Sequence, residues 1–418
     1  MWSLRQIFKS KLWSNIWNQF ILYGFSSIVP FLLIPFLLNR LGVEKYGLVN
    51  FALAFTFYFQ VINEFGFDLS NVRHVVGHRN DSKELGKILS AILECKGISM
   101  LCTLCIYIVA ILFIPFLREE LMLYILAFVR LLGIIIAPYW LFRSMEDIKY
   151  ITRINIPIKL LCILPVFLVV KRPDDYMLVM LCFALETFVS GITSLYVAKR
   201  RYKLRLRPVS SSDIKYYFKD SLPFFSSTFL MRIYKNSNAV LLGFFCGDYA
   251  VGIYTAAEKL HNAYISFVSP LLSHIFYPYF TRIKNMKLTA QIIIALCITN
   301  LLFLILIYIL SPCLIPLFIK TEATNIIMYF NIFLLLLAIS VPADMIGFPY
   351  LGVLGKIKEV NQTTIYSTIT YIMGIVLLAM FDLIDISNVI WTLVAANSVC
   401  LIARIYHIRH EKYDSDNL

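Results

Sequence analysis

Charge is what this chain has least of. Asp, Glu, Lys and Arg together make up 15% of its 418 residues, where soluble domains carry about 25%, and that scarcity excludes a soluble enzyme. Histidine is rarer still. The six present form neither an HxxxxD nor an HExxH arrangement, so no signature of an acyltransferase or a metalloprotease is found. The polar breaks are all too short to fold alone, which leaves no room for a sizeable external catalytic domain. Cysteine is sparse too. The nine residues at 95, 102, 105, 162, 182, 246, 297, 313 and 400 fall mostly inside apolar runs, which argues against a disulfide framework. Cys102 and Cys105 form a CxxC, but without a second ligand pair they read as small buried hydrophobes rather than a redox or zinc site. No catalytic residue, metal or cofactor is expected.

Hydrophobic residues are plentiful at 60%. A bilayer core of roughly 30 Å needs about 20 apolar residues per helix. Such runs recur at 15–39, 47–66, 94–117, 120–142, 151–170, 176–197, 221–244, 249–278, 290–318, 325–347, 361–381 and 386–407. The sequence therefore predicts an all-α polytopic membrane protein of about 12 transmembrane helices. The stretch 1–17 carries charge but no small-residue cleavage site, and reads as a tail entering the first span rather than a signal peptide. Lys and Arg sort by side: the tails and even-numbered loops hold 26, the odd-numbered loops 6. Cytoplasmic loops hold the excess, so both termini are expected in the cytoplasm. The break at 199–219, with its KRRYKLRLRP run, reads as an anchor against anionic lipid. It separates an expected six-helix lobe at 1–198 from a second at 220–418. Asp81 and Glu84 form a capping-box pattern that starts a new helix leading into the third span.

An internal repeat supports this division. At an offset of 205, Gly42, Tyr46, Gly47, Leu48, Val49 and Ala52 fall on Gly247, Val251, Gly252, Ile253, Tyr254 and Ala257. Both copies lie between the first and second spans of their half. An even span number inserts both halves the same way up, as in parallel repeats.

The stretches LGVEKYGLVNFALAF, EFGFDLSNVRHVV, PYWLFRSMED and GIYTAAEKL, in this order, resemble the polysaccharide-exporter family of bacterial lipid-linked oligosaccharide flippases. The O-antigen (Wzx-type) flippases are the nearest group. The resemblance runs over essentially the whole chain. It implies the fold of the multidrug, oligosaccharidyl-lipid and polysaccharide exporter (MOP) superfamily: two six-helix lobes around a central cavity, as in MATE exporters. Relatives often carry Asp-Phe-Gly-Phe where this chain has Glu64 in the acidic place, so a carboxylate is kept.

With Arg153 and Arg404, at the ends of their spans, counted in the adjoining loop and the C-terminal tail, six cations remain inside the expected spans: Lys96, Arg130, Lys159, Arg232, Lys235 and Lys259. Each costs roughly 2.5–3.5 kcal/mol near mid-membrane, so such residues usually face a bundle interior or a watered cavity. Lys96 lies near a cytoplasmic end and reads as snorkelling. Arg232 and Lys235, three apart, share one helical face. With Lys259, and with Arg130 and Lys159, they are the candidates for binding a lipid pyrophosphate. The opposing reading is that these cations neutralise Glu64, Glu94, Glu186, Glu258 and Asp344. Glu64 and Asp344 are also candidates for coupling to an H+ or Na+ gradient. Tyr23, Tyr58, Tyr234 and Tyr254 lie in spans expected to face the cavity, although interfacial belts explain most of the Tyr and Trp content.

The function expected is transfer of an undecaprenyl-pyrophosphate-linked oligosaccharide repeat unit across the bacterial inner membrane. The expected partners are that substrate, membrane lipid, and the polymerase and chain-length proteins of the same pathway, with no nucleic acid. A MATE-like multidrug exporter is the nearest alternative; a membrane sugar polymerase or ligase is a more distant one.

Overall fold

The structure is a computed structural model that describes residues 11–283 and 285–415. Among these residues every regular element is a helix, because hydrocarbon offers no water to backbone N–H and C=O groups and helices satisfy them internally. Ten helical runs among the described residues are long and apolar enough to cross a membrane. The difference from twelve has a local cause. Lys11–Glu64 and Ser211–Pro270 are each continuous helical runs broken at one residue, Gly42 (φ 75°, ψ 167°) and Gly247 (φ 80°, ψ 179°). Only glycine tolerates that conformation. Counting both sides of each break restores the twelve segments read from the sequence. The two glycines are the first pair of the 205-residue repeat, and their matching dihedrals show that it is structural.

The chain forms two compact units, one of 1–26 and 48–240 and the other of 27–47 and 241–418. They are drawn differently from the division at 199–219. The basic segment is bonded into the first unit: the Arg207 amide donates to Ser90 Oγ (3.0 Å) and the Val209 amide to Glu94 Oε1 (3.1 Å). In that unit the family stretches form a packed core. Phe67 and Val75 of the Phe67–Gly77 helix meet Trp140, Leu141 and Phe142 of Tyr139–Ser144, with Leu89 and Ile92 of Ser82–Phe113 beneath them. Arg79 locks the two stretches together, donating to the Ser144 carbonyl (2.8 Å) and pairing with Glu146 (2.7 Å). Asp81 caps Ser82–Phe113 by accepting from the Lys83 and Glu84 amides, the helix start expected there.

In the second unit the repeat folds back on its own partner. A Cβ on Gly47 would meet the Asp248 carbonyl, and a Cβ on Gly252 would meet the Val43 carbonyl. These contacts are reciprocal, since 205 residues separate Val43 from Asp248 as they separate Gly47 from Gly252. The unit also contains two π-helical turns, Leu271–Phe276 and Gly347–Gly352. Single π turns often mark functional segments. Elsewhere large apolar side chains such as Leu101, Phe113, Leu161, Leu302 and Leu317 point outward, as lipid-facing residues do.

Candidate functional site

The clearest polar constellation lies at the end of the 43–64 segment. Glu64 there receives Gln60 Nε2 (2.8 Å) and forms an ion pair with Arg232 of Ser211–Pro270. Glu64 is well shielded, whereas the Arg232 side chain is 44% exposed, so the cation keeps an open side. The turn that follows fixes this pair. Phe65 (φ 40°) and Gly66 (φ 72°) both take left-handed backbone, and a Cβ on Gly66 would come within 2.7 Å of the Phe225 amide nitrogen. Phe65 stacks on Phe225 at 4.4 Å. One turn further on, Ser70 and Ser221 share a hydrogen bond (2.7 Å), and Arg73 and His74 both reach Asp220. The EFGFDLSNVRHVV stretch thus clasps the 211–246 segment along three successive turns. Tyr58 also bonds to Ser237 of the same segment.

A second cluster sits where Leu121–Ile136 crosses Tyr176–Arg201. Gly133 and Gly191 bring the two backbones together, each without space for a Cβ. This crossing places Glu186 within electrostatic range of both Arg130 and Lys159, the latter on Ile148–Val169. Beside it Tyr139 donates to Asn155 Oδ1 (2.7 Å) and shares a hydrogen bond with Ser190 (2.8 Å). Two cations against one carboxylate leave the cluster with an excess of positive charge.

In the second unit Lys259 Nζ lies 3.2 Å from Tyr46 Oη and 5.1 Å from the centre of that ring. Tyr254 is fully buried; it donates to Glu258 (3.0 Å) and packs on Phe333. The Lys235, Tyr23 and Tyr234 side chains lie outside the described residues. The structure therefore gathers Arg232 with Glu64, and Arg130 with Lys159, as two groups, while Lys259 belongs to the other unit.

Residues 12–284 match the model of a family described as polysaccharide biosynthesis protein. The chain belongs to that family. It is 25% identical over 280 residues to a Shigella dysenteriae protein described as "Putative O-antigen transporter", covering 66% of this chain and 69% of the relative. A protein of Escherichia coli strain K12 with the same description is 25% identical over 269 residues, covering 64% and 65%. The fold is that of the lipid II flippase MurJ in an inward closed conformation, with TM-score 0.71, 14% identity, and 94% and 87% of the two chains covered. It is shared with an inward-facing multidrug resistance MATE transporter of the MOP superfamily, with TM-score 0.64, 15% identity and 94% of each chain covered. The matched family region holds every intramembrane cation named from the sequence.

Two charges in this family member depart from their sequence reading. Lys96 does not snorkel. It is 3% exposed and pairs with Asp68 (3.3 Å) of the family stretch, a carboxylate supplied by the neighbouring helix. Arg404, counted in the C-terminal tail, is instead buried within Ile386–Ser415. It donates to the Ala343 carbonyl (2.5 Å), Thr363 Oγ1 (3.2 Å) and Thr364 Oγ1 (3.3 Å), and lies 3.5 Å from Asp344, itself largely exposed. A Cβ on Gly347, where the π-helical turn begins, would come within 2.8 Å of the guanidinium. One signal was available: Arg404 follows five apolar residues, Val399–Ala403, and lies within the apolar run 386–407. Arg404→Met is expected to cost about 3 kcal/mol by stranding these acceptors, read as a lowered thermal midpoint in detergent.

Proposed function

We propose that the protein is an inner-membrane flippase that carries an undecaprenyl-pyrophosphate-linked oligosaccharide, an O-antigen or similar surface-polysaccharide repeat unit, from the cytoplasmic to the periplasmic leaflet. The observation that carries this reading is the cationic character of the membrane-embedded family region, with Arg232 half open to its surroundings beside Glu64. The names of the two curated relatives and the fold shared with a lipid II flippase support it. Both termini are cytoplasmic in this reading, from the distribution of Lys and Arg.

A pyrophosphate in hydrocarbon is strongly disfavoured unless fixed cations replace its water. In the first unit Arg232 and Lys235 supply that charge, with Arg130 and Lys159 as further contributors; Lys259 is the candidate cation of the second unit. The lipid tail stays in the bilayer, and alternating exposure of the headgroup moves it across. No covalent bond is made or broken. On binding, the pyrophosphate takes the open side of Arg232 and competes with Glu64, which Gln60 continues to hold. A carboxylate freed in this way, or Asp344 beside Arg404, provides the point at which an H+ or Na+ gradient acts. The product passes to the polymerase and chain-length proteins of the same pathway; nucleic acid has no part.

A strain lacking the protein should accumulate the lipid-linked repeat unit, identified by mass spectrometry, with unchanged susceptibility to cationic drugs. Raised drug susceptibility without accumulation would favour a multidrug exporter of the same fold.

A further inference from the structure

The basic segment between Arg201 and Ser211 is folded against its neighbours rather than hanging free. Together with the start of Ser82–Phe113 it encloses a cleft of about 580 Å³, within the usual range for small-ligand sites. Five cations line it: Lys83, Lys87, Lys203, Arg205 and Arg207, against the carboxylates Glu84 and Asp213.

The cleft is built, because the segment is fixed along its length. Arg205 lies against Gly86 so closely that a Cβ there would be 2.8 Å from the Arg205 carbonyl oxygen, and the amides of Arg207 and Val209 are held by Ser90 and Glu94. The opposite wall is equally set. Asp213 accepts from Ser210 Oγ (2.9 Å) and pairs with Lys87 (3.2 Å); the Ser210 hydroxyl, then Lys87, hold its carboxyl below the usual range. That pair removes one cation and one anion from the balance. Lys83, Lys203, Arg205 and Arg207 then face Glu84 alone, an excess of three positive charges. The helix start adds nothing, since Asp81 already occupies its first free amides. The attraction therefore comes from side chains, and guanidinium groups match phosphate oxygens in geometry as well as charge.

We propose that this cleft is a binding site for a phosphate-bearing headgroup, separate from the intramembrane cations. Two sources offer that chemistry: an anionic phospholipid of the surrounding leaflet, and a pyrophosphate reaching the same face.

The test uses the full-length protein in phosphatidylcholine nanodiscs, titrated calorimetrically with inorganic pyrophosphate at near-physiological salt. Saturable binding is expected, weakened about tenfold or more in Arg205→Ala/Arg207→Ala and by a smaller factor in Lys203→Gln. Lys149→Ala/Arg153→Ala, which removes the same charge away from the cleft, should leave it unchanged. Repeating the titration in discs containing phosphatidylglycerol separates the sources. Blocked pyrophosphate binding identifies the lipid headgroup as occupant; undiminished binding identifies a headgroup that arrives otherwise. Absence of saturable binding in phosphatidylcholine discs, or equal weakening in both double variants, overturns the site.

Discussion

Gly47→Ala and Gly252→Ala are each expected to leave little folded protein, although the same change elsewhere in a helix usually gains up to about 1 kcal/mol. The sign reverses because of what the added carbon would meet. At Gly47 it would fall on the Asp248 carbonyl and within 2.7 Å of the Gly252 nitrogen, and at Gly252 on the Val43 carbonyl. These are backbone atoms inside helical runs, which cannot rotate away as a side chain can. Overpacking a core costs about 1–3 kcal/mol when neighbours can shift. Here two helices must separate along the whole contact that unites 27–47 with the rest of the second unit, so a loss above about 4 kcal/mol is expected. Gly97→Ala is the control, since nothing lies within 4 Å of its added carbon. Thermal midpoint and monodisperse yield in detergent read both, and a wild-type midpoint for Gly47→Ala would show that the crossing is not tight.

The largest effect on transport is expected from Arg232→Ala/Lys235→Ala, a fall in translocation of about tenfold or more. The pair with Glu64 makes a sharper comparison possible. If Arg232 only neutralises Glu64, then Glu64→Gln/Arg232→Ala, in which neither charge remains, regains transport. If Arg232 holds the headgroup, that double variant stays as slow as Arg232→Ala alone. The flippase reading requires the second outcome. Gln60 bonds to Glu64 independently of Arg232, so loss of the guanidinium does not leave the carboxylate wholly unsupported, and these variants should fold.

The sequence revealed what lies along one helix better than what lies between helices. Run lengths located the spans, and the repeat located Gly42 and Gly247, whose backbone conformations prove alike. Asp81 was legible as a cap because its partners are two and three residues away. The spacing of Arg232 and Lys235 gave a shared face but could not give Glu64 as a partner 168 residues distant. The same limit applies to Lys96 and Asp68, and to Arg404, whose acceptors come from two other helices. Loop composition showed the 199–219 segment to be basic. It did not show that Ser90, Glu94 and Gly86 fix its backbone against a neighbouring helix.

The central claim is that this chain itself moves a lipid-linked, pyrophosphate-bearing oligosaccharide across a bilayer. The most direct measurement reconstitutes the purified protein in liposomes, loads such a lipid into one leaflet, and follows its appearance in the other with a membrane-impermeant glycan-modifying reagent. Wild-type protein is expected to expose the lipid well above the protein-free rate, and Arg232→Ala/Lys235→Ala to fall back toward that rate. Exposure by wild-type protein no faster than in protein-free liposomes would contradict the account.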